Sequence, residues 1–546
     1  MNTYKGDVLF AGFAFGKLVF SMQGKAGAAR KSKGAEQEQA LFAKARDQAV
    51  AETKSLQATA NEKLSKVNAE ILDAHLVMLE DPDFNDLVAH AIKDGKNAEA
   101  AVDEAVVKLA TMLKATGDAY IAERAADVEE IGGMIKQALI GSKATPVITG
   151  PTILVSDSFT VAQLLSLDTT KVKGLALLNT GKTSHVSIVI RSLGIPSVIL
   201  ADRPADNLVG ADAILDAVRG VLYTGYDSKL YAGLRDDSEK FVQETVRLKS
   251  YLNSPTVTKD GKKTTLYANI STPEEAALAA KSGAEGIGLF RSEFIYMNSS
   301  DYPSEDVQFA AYCKALETMR GKPVVIRTFD IGSDKKAAYF DLPAEANPAL
   351  GYRSIRICRD RPELFLTQLK ALYRASAHGD LSIMIPMIIS PGEIDFVHEM
   401  CVKAKAVLTQ EGLAFDPDLK VGIMVETPAA AITSDILAKK ADFFSIGTND
   451  LSQYTLAIDR TNENLAKFFD PHHKAIMRLI AKTVENGHRF GTPVSICGEL
   501  AHDEKLLPFF LKIGIDHLSM PSSYILKTRE LISHIDTAKV DLADFI

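Results

Sequence analysis

The sequence predicts a multidomain α/β protein: a small α/β domain with an inserted all-helical domain, followed by a C-terminal (β/α)8 TIM barrel. Three observations predict it. At 546 residues the chain exceeds what one hydrophobic core organises. Strand-like stretches at the two ends of the first 226 residues are separated by a run rich in Ala, Lys, Glu and Gln. From about residue 256, eight short apolar runs recur with helix-length segments between them.

Residues 4–20 alternate glycine with apolar residues (Gly6, Val8, Leu9, Gly12, Phe13, Gly16, Leu18, Val19), which predicts one or two strands and a tight turn. They are too short to fold alone, so their sheet partners are expected after residue 145, where a strand-like run resumes at 152–155. The predicted domains are therefore 1–21 with 143–226, and an all-helical insert at 22–142. The insert almost lacks proline and spaces Leu72, His75, Leu76 and Leu79 as one helix face does. Asp81-Pro82 opens a further helix, with proline at a position that helix starts tolerate. His75 lies on an apolar face, and such a histidine is more often packed in a core than used as a ligand.

Within 143–226, an apolar strand at 174–178 leads to a turn at Thr180 and Gly181. Val186, Ile188, Val189 and Ile190 then continue as an apolar helix, which puts His185 where a helix begins. The free N–H groups and positive dipole of that end suit an anion, such as a phosphate carried on the imidazole. Thr183 and Ser184 supply hydroxyls for capping or for orienting the ring. Residues 227–254 read as a linker helix, and 255–546 as the barrel.

The eight candidate barrel strands are 265–270, 286–290, 324–329, 382–387, 421–425, 443–446, 494–497 and 517–520. Chemistry in such barrels sits at the C-terminal strand ends. Those ends carry Arg291 and Glu293, Arg327 and Asp330, Glu426, Asn449 and Asp450 with Arg460 following, and Cys497 with Glu499. An arginine directly after an apolar strand is costly unless it meets an anion, so Arg291 and Arg327 form a candidate clamp for phosphate or carboxylate. Glu426 and Asp450 suit a hard divalent cation, Mg2+ above others. Each has a plainer alternative: Arg291 pairing with Glu293, Asp330 and Asp459 as solvated loop residues, Cys497 as a small buried apolar residue. Gathered at one face of one barrel, they read as an active site.

Composition narrows the classes. The net charge of −8 argues against nucleic acid and fits a basic protein partner. The N-terminal residues show no signal-peptide pattern, and no apolar run is long enough to span a bilayer. Cys313, Cys358, Cys401 and Cys497 form no C-x-x-C, so neither zinc nor a disulfide framework is indicated, and a cytoplasmic location is expected.

The string Asn179-Thr-Gly-Lys-Thr-Ser-His-Val-Ser-Ile-Val-Ile-Arg191 is similar to the phosphohistidine motif G-G-x-T-S-H-x-(A/S)-I-x-A-R of phosphoenolpyruvate-utilising phosphotransferases, with Thr180 for the first glycine and Ile190 for the usual alanine. Residues 74–82 resemble the A-H-x-x-M-L-x-D-P segment, and 123–128 the E-R-A-A-D-V segment, of one family among them: Enzyme I of the phosphoenolpyruvate-dependent sugar phosphotransferase system. The same family's strings recur at 286–294, 327–335, 347–356, 424–430, 445–454, 459–460 and 496–499, so the likeness runs over nearly the whole chain. One departure is Val161, where the family has threonine before A-Q-L.

The resemblance implies a swivelling phosphohistidine domain and a reaction. His185 takes the phosphoryl group of phosphoenolpyruvate in an in-line attack and pyruvate leaves. Arg291, Arg327 and Arg460 grip the phosphate, Asn449 hydrogen-bonds to it, Arg353 adds charge, and Glu426 and Asp450 hold Mg2+. Cys497 protonates the enolate, a role open to a thiol of ordinary pKa ~8.5 at neutral pH. The helical insert docks the phosphocarrier protein HPr, with His75, Met78 and Arg124 at or near the docking surface, and the barrel forms a homodimer. Nucleic acid and membrane insertion are not implied. Rival readings are an ATP-dependent synthase or dikinase, an idle paralogue that binds without turnover, and a metal-dependent barrel lyase.

Overall fold

The computed structural model of the chain describes residues 1–21, 32–63, 75–115, 128–139 (without 129 and 137), 148–178 (without 158, 160–162, 165 and 166), 185–297, and 299–546 (without 300, 333, 334 and 336). It divides into two units, Met1–Glu244 and Thr245–Ile546.

In the first unit the N-terminal residues form two strands, β1 (Asn2–Phe10) and β2 (Phe13–Ser21). Their partners come from beyond residue 145: β3 (Thr152–Ser156), β4 (Val172–Leu177), β5 (Ser197–Leu200), β6 (Asp212–Asp216) and β7 (Val221–Thr224). The seven close into a barrel in the order β1-β5-β4-β3-β2-β6-β7. β2, β3, β4 and β5 run parallel, and β1, β6 and β7 pair antiparallel. Strand alternation divides the apolar residues between two faces. Ile153 and Val155 join Leu18, Ala176 and Leu215 inside the barrel. Leu154, Leu175 and Leu177 turn outward onto Val189 and Ile190 of the helix His185–Leu193. That packing fixes the helix that begins at His185.

Between β2 and β3 lie the helices Ala35–Lys63, Pro82–Lys93 and Ala98–Ala115. Phe42, Leu79, Phe84, Val88, Ile92, Val102, Ile131 and Ile135 form their separate core. Asp81 caps the second helix, its carboxylate accepting from the N–H groups of Asp83 (2.8 Å) and Phe84 (3.1 Å). Buried Glu38 accepts from the backbone of Lys33 at 2.9 Å and of Ala98 at 3.0 Å, which ties the starts of two helices together. The helix Ser228–Lys249 buries Leu234 alone of its residues.

The second unit is a closed barrel of eight parallel strands: β8 (Thr265–Ile270), β9 (Gly286–Arg291), β10 (Val324–Arg327), β11 (Leu381–Ile385), β12 (Lys420–Val425), β13 (Phe444–Ile446), β14 (Val494–Cys497) and β15 (His517–Pro521). Two strands stop short of the expected ends. β10 ends at Arg327 because the Phe329 N–H goes to the Gln368 side chain (3.0 Å) rather than to a neighbouring strand. β11 ends at Ile385 because Pro386 has no N–H to give. Outward residues such as Ile383, Ile385, Ile423 and Val425 pack on the surrounding helices. Leu289, Met384, Met424 and Cys497 fill the interior. No helix among the described residues is long and apolar enough to cross a membrane. All four cysteines are free and buried.

Candidate active site

The strand ends of the second unit converge on a cluster of charge. Arg327 and Arg291 end neighbouring strands and are register partners across β10 and β9. Two guanidiniums side by side repel unless anions separate them. Arg327, 5% exposed, bonds through Nη2 to Glu293 and lies 3.5 Å from Asp330. Lys335 Nζ reaches Glu293 at 2.8 Å and Asp330 at 3.0 Å. Arg353 grips Asp330 with its fork, Nη2 standing 2.9 and 2.8 Å from the two carboxylate oxygens and Nε 3.2 Å from Oδ1. It also reaches Asp450 Oδ2 at 3.4 Å. Burial works to raise the Glu293 and Asp330 carboxyls, but Arg327 and Lys335 for one, and Lys335, Arg353 and Arg327 for the other, hold both below the usual range.

Arg327, Lys335 and Arg353 are thus matched by Glu293, Asp330 and Asp450. Arg291 is the surplus cation, with no ion pair among the described residues. Burial first, and Arg327 second, lower its hold on its proton. The expected alternative of an Arg291–Glu293 pair is not what forms, because Glu293 opens a helix and turns under Arg327. Nor is Asp330 a solvated loop residue; it is wholly buried, whereas Asp459 stays in a loop held by Thr461 (2.7 Å).

Glu426 follows β12 and is 1% exposed. Its Oε1 accepts the N–H of Met387 at 2.7 Å, and Met387 adopts left-handed backbone (φ 61°) there. A Cβ on Gly447 would stand 2.9 Å from the Glu426 Cβ and 3.0 Å from Oε2, so glycine leaves room for the carboxylate. Asp450 lies in the first turn of the helix Thr448–Leu456, with Arg460 Nε 3.9 Å from Oδ1. Burial, then Asp450 and Asp330, push Glu426 up to about 8 against Arg327 and Arg353. A carboxyl so pressed by its neighbours is one that a bound cation relieves. Mg2+ takes one or two carboxylates and completes its shell with water and substrate oxygens, so this pair fits it. Zinc would want more ligands, and among the described residues no three His, Cys, Asp or Glu gather around one point.

Cys497 ends β14 among Leu289, Met384 and Met424, and is 4% exposed. Ser445 on β13 donates to its sulfur at 2.9 Å. Burial pushes the thiol up to about 11, while Ser445 and Arg327 pull it back. It is therefore a weaker acid than the ordinary thiol expected from sequence. A Cβ on the next residue, Gly498, would sit 2.1 Å from Thr448 Oγ1. That close approach brings Asn449 against Glu499: Asn449 Oδ1 accepts the Glu499 N–H (3.0 Å), and Nδ2 donates to Glu499 Oε1 (3.3 Å). With its oxygen engaged, the amide has N–H to offer an anion.

The remaining candidates lie in the first unit. His185 begins the helix His185–Leu193. Its neighbours Thr180, Thr183 and Ser184 lie outside the described residues, as do Val161 and Arg124. His75 is fully buried, with Nε2 3.8 Å from Glu130, so its side chain is a packed one and offers no direct surface contact. Met78 is half-buried on the helical core. Sequence reasoning missed Lys335, Tyr454, Met387 and Gln368 as parts of the site's framework. Tyr454 accepts from Arg353 (3.1 Å) and donates to the Ala349 carbonyl (2.5 Å). Lys335 and Tyr454 stood inside the family strings at 327–335 and 445–454; nothing local marked Met387 or Gln368.

Three family models match consecutive parts of the chain: the N-terminal region of PEP-utilising enzymes at residues 5–124, their mobile domain at 148–220, and their PEP-binding domain at 246–537. The phosphoenolpyruvate-protein phosphotransferase of Priestia megaterium is 36% identical over 510 residues, 93% of this chain and 89% of the relative. That of Bacillus subtilis is 38% identical over 503 residues (91% and 88%). That of Haemophilus influenzae is 38% identical over 513 residues (93% and 89%). With three consecutive family matches and relatives of this identity and reach, the chain belongs to the phosphoenolpyruvate-protein phosphotransferases.

Proposed function

We propose that the chain takes the phosphoryl group of phosphoenolpyruvate onto His185, releases pyruvate, and passes the group to the histidine of HPr as the first step of sugar uptake. The observation that carries this reading is the register-paired Arg291 and Arg327, one neutralised and one left over, beside Glu426, Asp450 and Cys497. Phosphoryl transfer asks chiefly for positioning and neutralisation of charge.

Arg291 and Arg327 hold the phosphate, Arg460 and the Asn449 amide complete its contacts, and Arg353 adds positive charge from beneath. Glu426 and Asp450 would hold Mg2+, which supplies further neutralisation of substrate oxygens when bound. Neutral His185 attacks phosphorus in line. The bond between phosphorus and the enol oxygen breaks, and its electron pair stays on that oxygen. The Cys497 proton then passes to the methylene carbon as the oxygen becomes a ketone. The helical insert presents the docking surface for HPr, where Met78 and Arg124 contribute and His75 shapes it from within. A homodimer through the barrel and a cytoplasmic location complete the proposal; free cysteines suit a reducing compartment.

The test is labelling with radioactive phosphoenolpyruvate, Mg2+ and HPr. Acid-labile label should appear on this chain and then on HPr, and His185→Ala should abolish both while keeping the fold. Undiminished labelling of that variant would overturn the assignment.

A further inference from the structure

We infer that Ser445 is a positioning residue for proton transfer at Cys497, a role that rests on the proposed reading of Cys497 as the acid. Ser445 is the middle residue of β13 and lies opposite Ser495 of β14. Cys497 is two residues further along β14, so Ser445 and Cys497 share the barrel's inner face. Ser445 is 1% exposed and Cys497 4%. The hydroxyl donates to sulfur at 2.9 Å.

Ser445 is a polar residue between apolar strand neighbours, opposite Ser495, and Cys497 in turn lies opposite buried Ser519. The strand neighbours of Ser445 are Phe444 and Ile446, and the interior around Cys497 is filled by Leu289, Met384 and Met424. Parallel barrel strands are ordinarily near-continuous apolar runs. A hydroxyl buried there costs free energy unless it is bonded, and the partner it finds is the sulfur.

The bond has a direction with chemical consequences. Ser445 gives its hydrogen to a sulfur lone pair, so the thiol hydrogen remains available to a substrate carbon. When that carbon takes the proton, the S–H pair stays on sulfur, the enolate π electrons form the new C–H bond, and a buried thiolate is left. Ser445 keeps its own proton throughout, and its hydrogen bond strengthens as it becomes charge-assisted. The other charges facing the sulfur are Arg291 and Arg327, which also favour the thiolate, and Glu426, which opposes it. Water returns the proton to sulfur after pyruvate leaves.

The test is exchange of the pyruvate methyl protons in deuterium oxide with Mg2+, followed by NMR on the full chain, beside the KM for phosphoenolpyruvate in the labelling reaction. Loss of one hydrogen bond to a charged atom predicts that Ser445→Ala slows exchange by about 10- to 100-fold. KM should hold, and Ser445→Thr, which restores a hydroxyl, should recover most of the rate. The role is overturned by parental exchange in Ser445→Ala, by a threonine variant no faster than alanine, or by KM rising in step with the loss. Cys497→Ala runs in parallel. If it exchanges at the parental rate, the acid assignment itself fails; if it is silent while Ser445→Ala is unimpaired, only the role of Ser445 falls.

Discussion

Arg291 and Arg327 are the same residue type at register-paired positions, yet their removal should have opposite effects on stability. Arg327→Ala leaves Glu293 and Asp330 buried with one cation fewer, and breaking a buried pair in this way costs about 3–5 kcal/mol. Arg291→Ala removes a repelling neighbour and no ion pair, so urea midpoints should stay level or rise, while the KM for phosphoenolpyruvate climbs steeply. Urea unfolding and kinetics on the two variants check the contrast. For Cys497 the working form is the protonated thiol, which persists until pH rises through its value of about 11. The limb of pyruvate formation that reports this group should therefore lie far above the ~8.5 of an ordinary thiol. A pH profile of pyruvate formation that falls through 8.5 in step with the thiol would contradict it. At this scale the sequence exposed most of the site, because a charged residue closing an apolar strand stands out. Which arginine is neutralised was hidden: it depends on Glu293 turning beneath the next strand, and spacing along the chain carries no record of that.

Between elements, the ends of β9 and β10 are stitched by one side chain from the helix Pro362–Ser376. Gln368 accepts the Phe329 N–H and donates to Ser292 and Tyr312 (3.0 Å each), and Ser292 donates to the Arg327 carbonyl at 2.5 Å. This network holds the two strand ends that carry the arginines. Gln368→Leu strands a buried N–H and should lower stability by about 1–3 kcal/mol. It should also raise the KM for phosphoenolpyruvate; thermal unfolding and steady-state kinetics measure both. All eight barrel strands were legible, since period and length suffice for them. The end placed too late at 329 was not, since Gln368 lies 39 residues beyond the N–H it captures; the end placed at 387 ran past Pro386, whose missing N–H the sequence itself displays.

For the whole molecule, the insert between β2 and β3 has its own core, apart from the cores of the sheet it interrupts. Removing 22–142 and joining the strand ends with a short linker should spare labelling of His185 and end transfer to HPr. Transfer that survives the deletion would remove the insert from docking. The abrupt change of composition at the insert made this organisation readable from sequence. The burial of His75 was readable only as one of two alternatives, since a helix face shows what is apolar and not what covers it. The order of the first sheet sets a timetable for synthesis. β2 emerges from the ribosome 131 residues ahead of β3, the difference between Ser21 and Thr152. At roughly 5–20 residues per second it waits about 7–26 seconds for that partner. Through that interval the nascent chain carries two unpaired strands while the helices behind them are already able to fold, so a chaperone that covers extended apolar segments has its natural client in β1 and β2.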